Sequence, residues 1–497
     1  MRRTSRELIP WLVLLLSLRG VAANHYIRTG AGGPIPCTAG WGKGQACSDL
    51  PTLLVRGDTY YIAAGTYDHH DFADSDSGET RITVEAATVA DHGTNTGWSD
   101  AYLGQAVFRC TSACGSVLGF DTDYYTVDGV YRSTTSGDPN TDWTNESAYG
   151  FKVDASNGSA SNDIAGGLGY AGSPNYVHDI TIQHIDVNGA HPINDAGQHD
   201  FGLSFQGGSY NLFFRYLYVH DDYVMFFLKG NHFHQNDGGW IFGSGDNITI
   251  EYSFAEHDYT SPKYHGAMCS CSEGLTNFTF RYNYARNIVG TSFLDLASGA
   301  NYTGNGQNGS WYVYGNIFYY NKPHYCGVGD GSLAVFDTTF TGPIYFLNNT
   351  IANVSGTYCG GGESGLGFGL TYRTPLNTLY VQNNLWWNSD PISIIPTGTT
   401  SWQGATFNPG VRWSYNAYFN DPKSQGNDPD SHKQVSSANP FLNSAGYNYQ
   451  LSGHTKPGAN TSALVPGNDT DLLGHARTTW DRGALEYQPR ATLSGSH

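Results

Sequence analysis

Asparagine pairs recur down the chain at a nearly constant interval. "RYNYARN" holds Asn283 and Asn287, "YGNIFYYN" Asn316 and Asn321, "LNNTIAN" Asn349 and Asn353, "QNNLWWN" Asn384 and Asn388, and "SYNAYFN" Asn416 and Asn420. The first members are 33, 33, 35 and 32 residues apart. Each of the five pairs follows a short segment that alternates apolar and polar residues, "FTFRYN", "WYVYGN", "IYFLNN", "LYVQNN" and "RWSYN", and three such segments come earlier, "ITIQHI", "LFFRYL" and "ITIEYS". A period of two marks these as strands. A second short apolar segment follows each turn. A third comes after a loop of variable length, in "FGLSF", "VMFFL", "GAMCS", "SFLDL", "LAVFD", "LGFGL" and "ISII".

Three strands per repeat describe one coil of a parallel β-solenoid. Coils stack about 4.8 Å apart, so equivalent asparagines lie one above another. A buried turn leaves polar groups that need partners, and an inward amide can both donate and accept along the stack. The first expected ladder is Asn283, Asn316, Asn349, Asn384 and Asn416, closed below by Ser253. The second runs from Asn287 to Asn420 and caps the next turn in the same manner.

"DTYYIAAGTY", "TRITVEAATV", "SVLGF" and "YYTVDGVY" read as opening coils. "ACSDLPTLLV" reads as a short helix, N-capped by Ser48 or Asp49, over the exposed edge of the first coil. The tail from about residue 421 is expected to pack across the other end. The division is therefore residues 1–23 as a leader, 24–420 as the solenoid with its N-terminal cap, and 421–497 as a capping segment of the same domain.

The leader reading rests on Arg2, Arg3 and Arg6, the apolar run "IPWLVLLLSL" and the small residues "VAA", which predict secretion with cleavage after Ala23. The run is too short for a bilayer span, so no membrane insertion is expected. The 497 residues carry a net charge of −18, and 34 of the 43 acidic residues are Asp, a residue of turns. That charge excludes nucleic acid as a partner and admits a polyanionic glycan only with a bridging cation. A monomer is expected.

Eight cysteines suit an oxidising compartment. Cys37–Cys47 and Cys110–Cys114 are candidate local pairs. Cys326 and Cys359 each fall ten residues after a ladder asparagine, which would stack them as a third pair. Cys269 and Cys271 share one face of a strand, where a bond would be strained; a zinc site is the alternative.

Coils of three strands with an asparagine ladder resemble the right-handed parallel β-helix of the pectate-lyase-like superfamily. "YIRTGAGG … DLPTLLVRGDTYYIAAGTY" and the terminal "DRGALEY" are similar to the ends of many secreted members. The resemblance covers most of residues 25–487 and is specific for fold. It implies a polysaccharide as partner, since members include lyases, glycoside hydrolases and epimerases, beside proteins without catalysis.

Half of the 18 histidines fall between His178 and His265, in coils that lack the ladder. In register, Asp221 and His257 take the column later held by Asn287, and Asp222 and Asp258 follow them on adjacent coils. Two carboxylates one coil apart are near the short spacing of retaining glycosidases, or they collect Ca²⁺ with backbone oxygens. Asp221, Asp222 and Asp258 are the candidate ligands and Ca²⁺ the candidate cofactor. His220 and His257 are candidate acid–base groups; solvated turn residues are the plain alternative. For β-elimination, Lys263 and His265 in "SPKYHG" are candidate catalytic residues, with Lys229 and Arg215 to neutralise a uronate. Trp240, in a projecting loop at 229–247, is a candidate sugar platform. Arg281 and Glu273 lie close enough in register to pair. The rings of "LWWN" and "FYYN" either fill the core or line a glycan groove. Two functions are thus carried forward: a polysaccharide lyase or hydrolase, and a non-catalytic carbohydrate-binding or adhesive β-helix.

Overall fold

A computed structural model describes residues 22–167, 176–189, 201–229, 234–236, 239–241, 246–256, 267–272, 276–288, 292–297, 310–321, 332–338, 343–354, 368–372, 379–389, 411–421, 425, 428–465 and 467–489. Among them, three long sheets, all parallel, carry the chain: sheets A and B with 12 strands each and sheet C with nine. Successive coils visit A, B and C in turn. The fold is a right-handed parallel β-helix, the hand that twisted parallel strands impose on their crossovers.

Inward residues form continuous columns. On sheet A one runs Val127, Ile182, Phe214, Ile250, Phe280, Val313, Phe346 and Val381. All eight are 1 % exposed or less. Shifting a strand by one residue would turn its apolar set to solvent, so this alternation fixes the register.

The A-to-B corner has the same construction in every ladder coil. A residue in the left-handed region makes the turn: Tyr282, Asn348, Asn383 and Tyr415, with Gly315 at the fifth. The next residue points inward and joins the ladder. Asn316 receives Asn283 N at 2.9 Å and Asn283 Nδ2 at 3.2 Å, and the pattern repeats through Asn349, Asn384 and Asn416. Ser253 closes the lower end as expected, its N–H on Asn283 Oδ1 and its Oγ accepting Leu217 N. The upper end is closed by Asp428, which accepts from Asn416 Nδ2 at 3.2 Å.

The second column has a different primary role. Asn287, Asn353, Asn388 and Asn420 have φ between 48° and 56°, a conformation that asparagine tolerates far better than most residues. Their ladder is partial: Asn287 Nδ2 reaches Asn321 Oδ1 at 2.7 Å and Asn388 Nδ2 reaches Asn353 Oδ1 at 2.7 Å. Asn321 sits one residue beyond the column, and Tyr320 holds its slot, since Tyr320 N pairs with Ala352 O as Asn353 N pairs with Trp387 O.

Both ends depart from expectation. The 46–55 segment is not helical. Pro51 interrupts it, and its backbone is held from outside, Leu54 N by Asp74 Oδ1 and Val55 N by Tyr60 Oη. The tail closes the far end only as far as Gln434–Ser436, the last strand of sheet B. It then runs back along the outside. Ala459 holds Asn383, Gly467 O accepts Tyr282 Oη, Ala484 N donates to Thr350 Oγ1, and Arg482 donates to Asn416 O. The reason is apolar. On sheet B, Phe254, Tyr284, Ile317, Leu385 and Ala417 face outward and form a second core with Phe441, Tyr449, Leu472 and Leu485 of the tail. A strand buried on both faces needs a cover. An insert at 131–149 covers the earlier coils, with Trp143 edge-on to Tyr284 and Arg132 3.9 Å over Trp143.

This second core also settles the aromatic pairs. Phe318, Tyr320 and Trp386 lie in the solenoid core, while Tyr319 and Trp387 lie under the tail. None of these rings lines a groove. Cys37–Cys47 and Cys110–Cys114 are bonded as expected, and Cys269 bonds to Cys271 across a Cα separation of 5.3 Å, with both residues buried. Cys326 and Cys359 lie outside the described residues.

Candidate functional site

From residue 178 onward, the A-to-B links are one or two residues long, whereas the links at the two edges of sheet C vary widely. Twelve residues separate Asn188 from Phe201, ten separate Glu256 from Ala267, and sixteen separate Lys229 from Asp246. Asp222 and Trp240 belong to links at those edges, and Lys229 ends a sheet C strand.

Asp221 takes the left-handed turn at the end of Tyr218–His220, with φ 62°. This matches the register read from the sequence. Its Oδ2 lies 2.6 Å from His220 Nδ1. Asp222 is fully buried. A Cβ on Gly189 would fall 2.4 Å from its Oδ1, and one on Gly202 2.6 Å from its Oδ2. Glycine at both positions is therefore what admits this carboxylate. Beside it, Phe201 and Phe227 stack at 4.4 Å and Tyr223 leans on Phe201.

His220 is 3 % exposed and engaged at both nitrogens, its Nε2 lying 3.0 Å from Asp186 Oδ1. Burial favours the neutral ring, but the carboxylates of Asp186 and Asp221 outweigh it and push the group up to about 9. At neutral pH it is a held imidazolium. That geometry fits a residue that positions Asp221 better than one that exchanges protons with a ligand. Asp186 in turn takes Lys152 Nζ at 3.0 Å, and the same ammonium lies 2.6 Å from Glu146 in the insert. Burial lowers the Lys152 ammonium and Asp186 and Glu146 more than offset it, leaving it raised. The next coils continue the row. Glu256 accepts Tyr218 Oη at 2.6 Å and Arg286 Nε at 2.5 Å, and Tyr319 Oη bonds Asn140 of the insert.

Lys152, Glu146 and Asp186 were missed from sequence. The signal was present, because Lys152 pairs with Asp186 in register on the outward face of sheet B. Finding it required carrying the repeat back beyond residue 178.

The remaining expected residues separate. Arg215 lies on the outer face of sheet A, at the other end of the sheet B strand from Asp222. There its Nε donates to Gln183 Oε1 at 2.6 Å and its guanidinium lies over Tyr216. Arg281 pairs with Glu251, its strand neighbour, with Nε to Oε2 at 2.6 Å, and Glu273 lies outside the described residues. Lys229 ends the strand Val224–Lys229, opposite Ser272. Trp240 lies in a hairpin of His234–Asn236 and Gly239–Ile241, so the expected projection carries a small antiparallel ribbon. His257, Asp258, Lys263 and His265 lie outside the described residues. Since His220 pairs with Glu256, residues 222 and 258 follow equivalent positions of consecutive coils.

The groups that come nearest to a cation cage among the described residues are Glu146, Asp186 and His220, with ligand atoms within 4.8 Å of one another. They do not fit Ca²⁺ as they stand. Ca²⁺ takes oxygen ligands, whereas this set offers a protonated imidazole, and Lys152 already bridges the two carboxylates. Asp221 and Asp222, though adjacent, take their carboxylates to different surroundings.

No protein-family model and no curated protein matches the chain. Among solved structures, it is similar to pectate lyase Pel9A, with a TM-score of 0.44 and 12% identity over 94% of this chain and 98% of that one. It is also similar to the PL6 family alginate lyase AlyGC, with a TM-score of 0.35 and 12% identity over 88% of this chain and 57% of that one.

Proposed function

We propose that the protein is a secreted, polysaccharide-active β-helix that receives an extended glycan across the face of sheet C and cleaves it. The observation that supports this most is the distribution of links. The A-to-B corner is tightly closed, sheet B is covered on its outside, and the links at the edges of sheet C are long, with the buried Asp222 in one of them. A long parallel sheet flanked by long links suits a polymer, because a chain can enter and leave at both ends. Phe201 and Phe227 offer apolar surface beside a buried carboxylate, and apolar rings pack against sugar faces.

In this reading Asp222 and Asp258 work as a pair from consecutive coils, and His257 is the acid–base group. If the substrate is a uronan, Lys263 or His265 removes the proton at C5. The electron pair left there forms the new C4–C5 double bond as the glycosidic oxygen leaves C4 and takes a proton from His257. Lys229 balances the substrate carboxylate. If the substrate is neutral, the carboxylate pair carries a hydrolysis instead. No step here runs through a metal.

The alternative is a binding or adhesive β-helix without turnover. Variants Asp222→Asn, His257→Ala and Lys263→Ala separate the two. The proposal expects glycan retention close to the parent's in each, with loss of product in Asp222→Asn and His257→Ala, and in Lys263→Ala where the product is unsaturated. Unchanged product from all three, with only stability affected, would remove the enzyme reading at this site.

A further inference from the structure

Ten Asn-x-Ser/Thr sequons occur in the chain, and the structure divides them. The solenoid itself accounts for four. Asn247, Asn277, Asn348 and Asn353 all have φ between 52° and 62°, so each occupies a left-handed turn that asparagine suits. Thr249 and Thr279 complete two of these sequons from the outward face of sheet A, and Thr350 completes a third from sheet B. In those positions the motif is a by-product of turn followed by strand. The amides are also in use. Asn247 Nδ2 donates to Asn211 Oδ1 at 3.0 Å and Asn353 Nδ2 to Tyr320 O at 3.3 Å. Asn277 Oδ1 accepts Ser310 N, and Asn348 is buried under the tail.

Two more are committed elsewhere. Asn468 is buried and donates to Asn348 Oδ1 and Thr461 Oγ1. Asn157 Nδ2 holds Cys110 O at 2.9 Å, at the Cys110–Cys114 bridge. Asn301 and Asn308 lie outside the described residues.

Asn145 and Asn460 differ from all of these. Both are exposed, as Asn157 and Asn247 also are, but both lie outside the repeat, one in the insert and one in the tail, and neither Nδ2 has a hydrogen bond to a described residue. Each Oδ1 accepts both groups of the serine two residues on: Ser147 N at 3.2 Å and Oγ at 2.8 Å, Ser462 N at 3.0 Å and Oγ at 2.7 Å. The hydroxyl that the sequon requires is thus already on the amide oxygen, and the nitrogen is left toward solvent. The insert and the tail lie against the outer faces of sheets A and B, so a bulky group on either leaves the face of sheet C clear.

We propose that Asn145 and Asn460 are N-glycosylation sites of this chain, modified when its leader carries it into a secretory pathway. The donor class is a lipid-pyrophosphate-linked oligosaccharide. Nδ2 bonds to the sugar C1, the C1–oxygen bond to pyrophosphate breaks, lipid pyrophosphate leaves, and Nδ2 loses one proton. At Asn348 and Asn468 a glycan added before folding would prevent the tail from seating.

The test is secretion of the full chain from a eukaryotic host, followed by peptide N-glycosidase release in heavy-oxygen water and peptide mass mapping. The expected result is isotope label at Asn145 and Asn460. Asn145→Gln and Asn460→Gln should each remove one glycan's step in gel mobility. An unlabelled Asn145 or Asn460, or label at Asn157, Asn247, Asn277, Asn348, Asn353 or Asn468, overturns the assignment. The mapping uses the unmutated protein, so it stands whether or not the variants fold.

Discussion

Replacing Asn349 by alanine removes the centre of the buried ladder. The Asn349 side chain donates to Val313 O at 3.0 Å and to Asn384 Oδ1 at 3.1 Å, and accepts Asn316 N and Asn316 Nδ2 at 3.0 Å each. At a net value near ~1 kcal/mol per bond, the four together stabilise the coil by about 4 kcal/mol. The substitution also leaves the Asn316 N–H buried without its acceptor. Asn388→Ala is the matched control from the second column. Asn388 is exposed and makes one ladder bond, so its loss plus the strain of alanine at φ 49° amounts to about 2 kcal/mol. Asn349→Ser should fall between, because Ser253 fills the slot at the lower end with Oγ accepting Leu217 N at 3.1 Å. Urea unfolding followed by tryptophan fluorescence reads the three midpoints directly. Equal shifts for Asn349→Ala and Asn388→Ala, or a loss under about 1 kcal/mol for the former, would refute the ladder as the element that holds the corner.

Other outcomes follow from the charged row beneath the insert. Lys152→Met takes one of its two cations, His220 being the other, from the Asp186 carboxylate, which has 0% exposure, and should cost about 3 kcal/mol, the low end of the range for breaking a buried pair. Adding Asp186→Asn should recover most of that in thermal melts, and a neutral Lys152→Met would contradict the bridge. His220 gives a pH signature. Its folded value is raised above 6.5 to about 9, so its stabilisation is complete below pH 6.5 and lost as pH rises through 9. The melting temperature should fall across that window in the parent and flatten in His220→Asn. An identical decline in both would assign the effect to another group.

The solenoid was legible because its signals are local and repeated. An alternating strand, a left-handed turn residue and an inward amide recur in each coil, so "LNNTIAN" and "QNNLWWN" nearly state their own geometry. The Asp221 turn followed from the same register. What escaped was set by contacts without a period. Glu146, in the insert, meets Asp186 and His220 only after the chain has made further coils. Gly189 and Gly202 reveal their role only when the Asp222 carboxylate is seen against them. The tail was expected at the open end because an edge needs a cover; the outward apolar residues of sheet B, such as Phe254 and Tyr284, needed one over a larger area. Arg215 shows the limit of choosing a cation by type, since it is spent on Gln183 one strand away.

The most direct measurement of the central claim is product formation by the purified protein on a panel of acidic and neutral polysaccharides. Unsaturated-uronate absorbance and new reducing ends would be followed together, with Ca²⁺ and with chelator. The account predicts new reducing ends on at least one polymer, lost in Asp222→Asn. A joint rise in absorbance would identify elimination, and reducing ends alone would identify hydrolysis by the carboxylate pair. No product from any polymer, with a glycan still retained on pull-down, would contradict the enzyme and leave the binding protein.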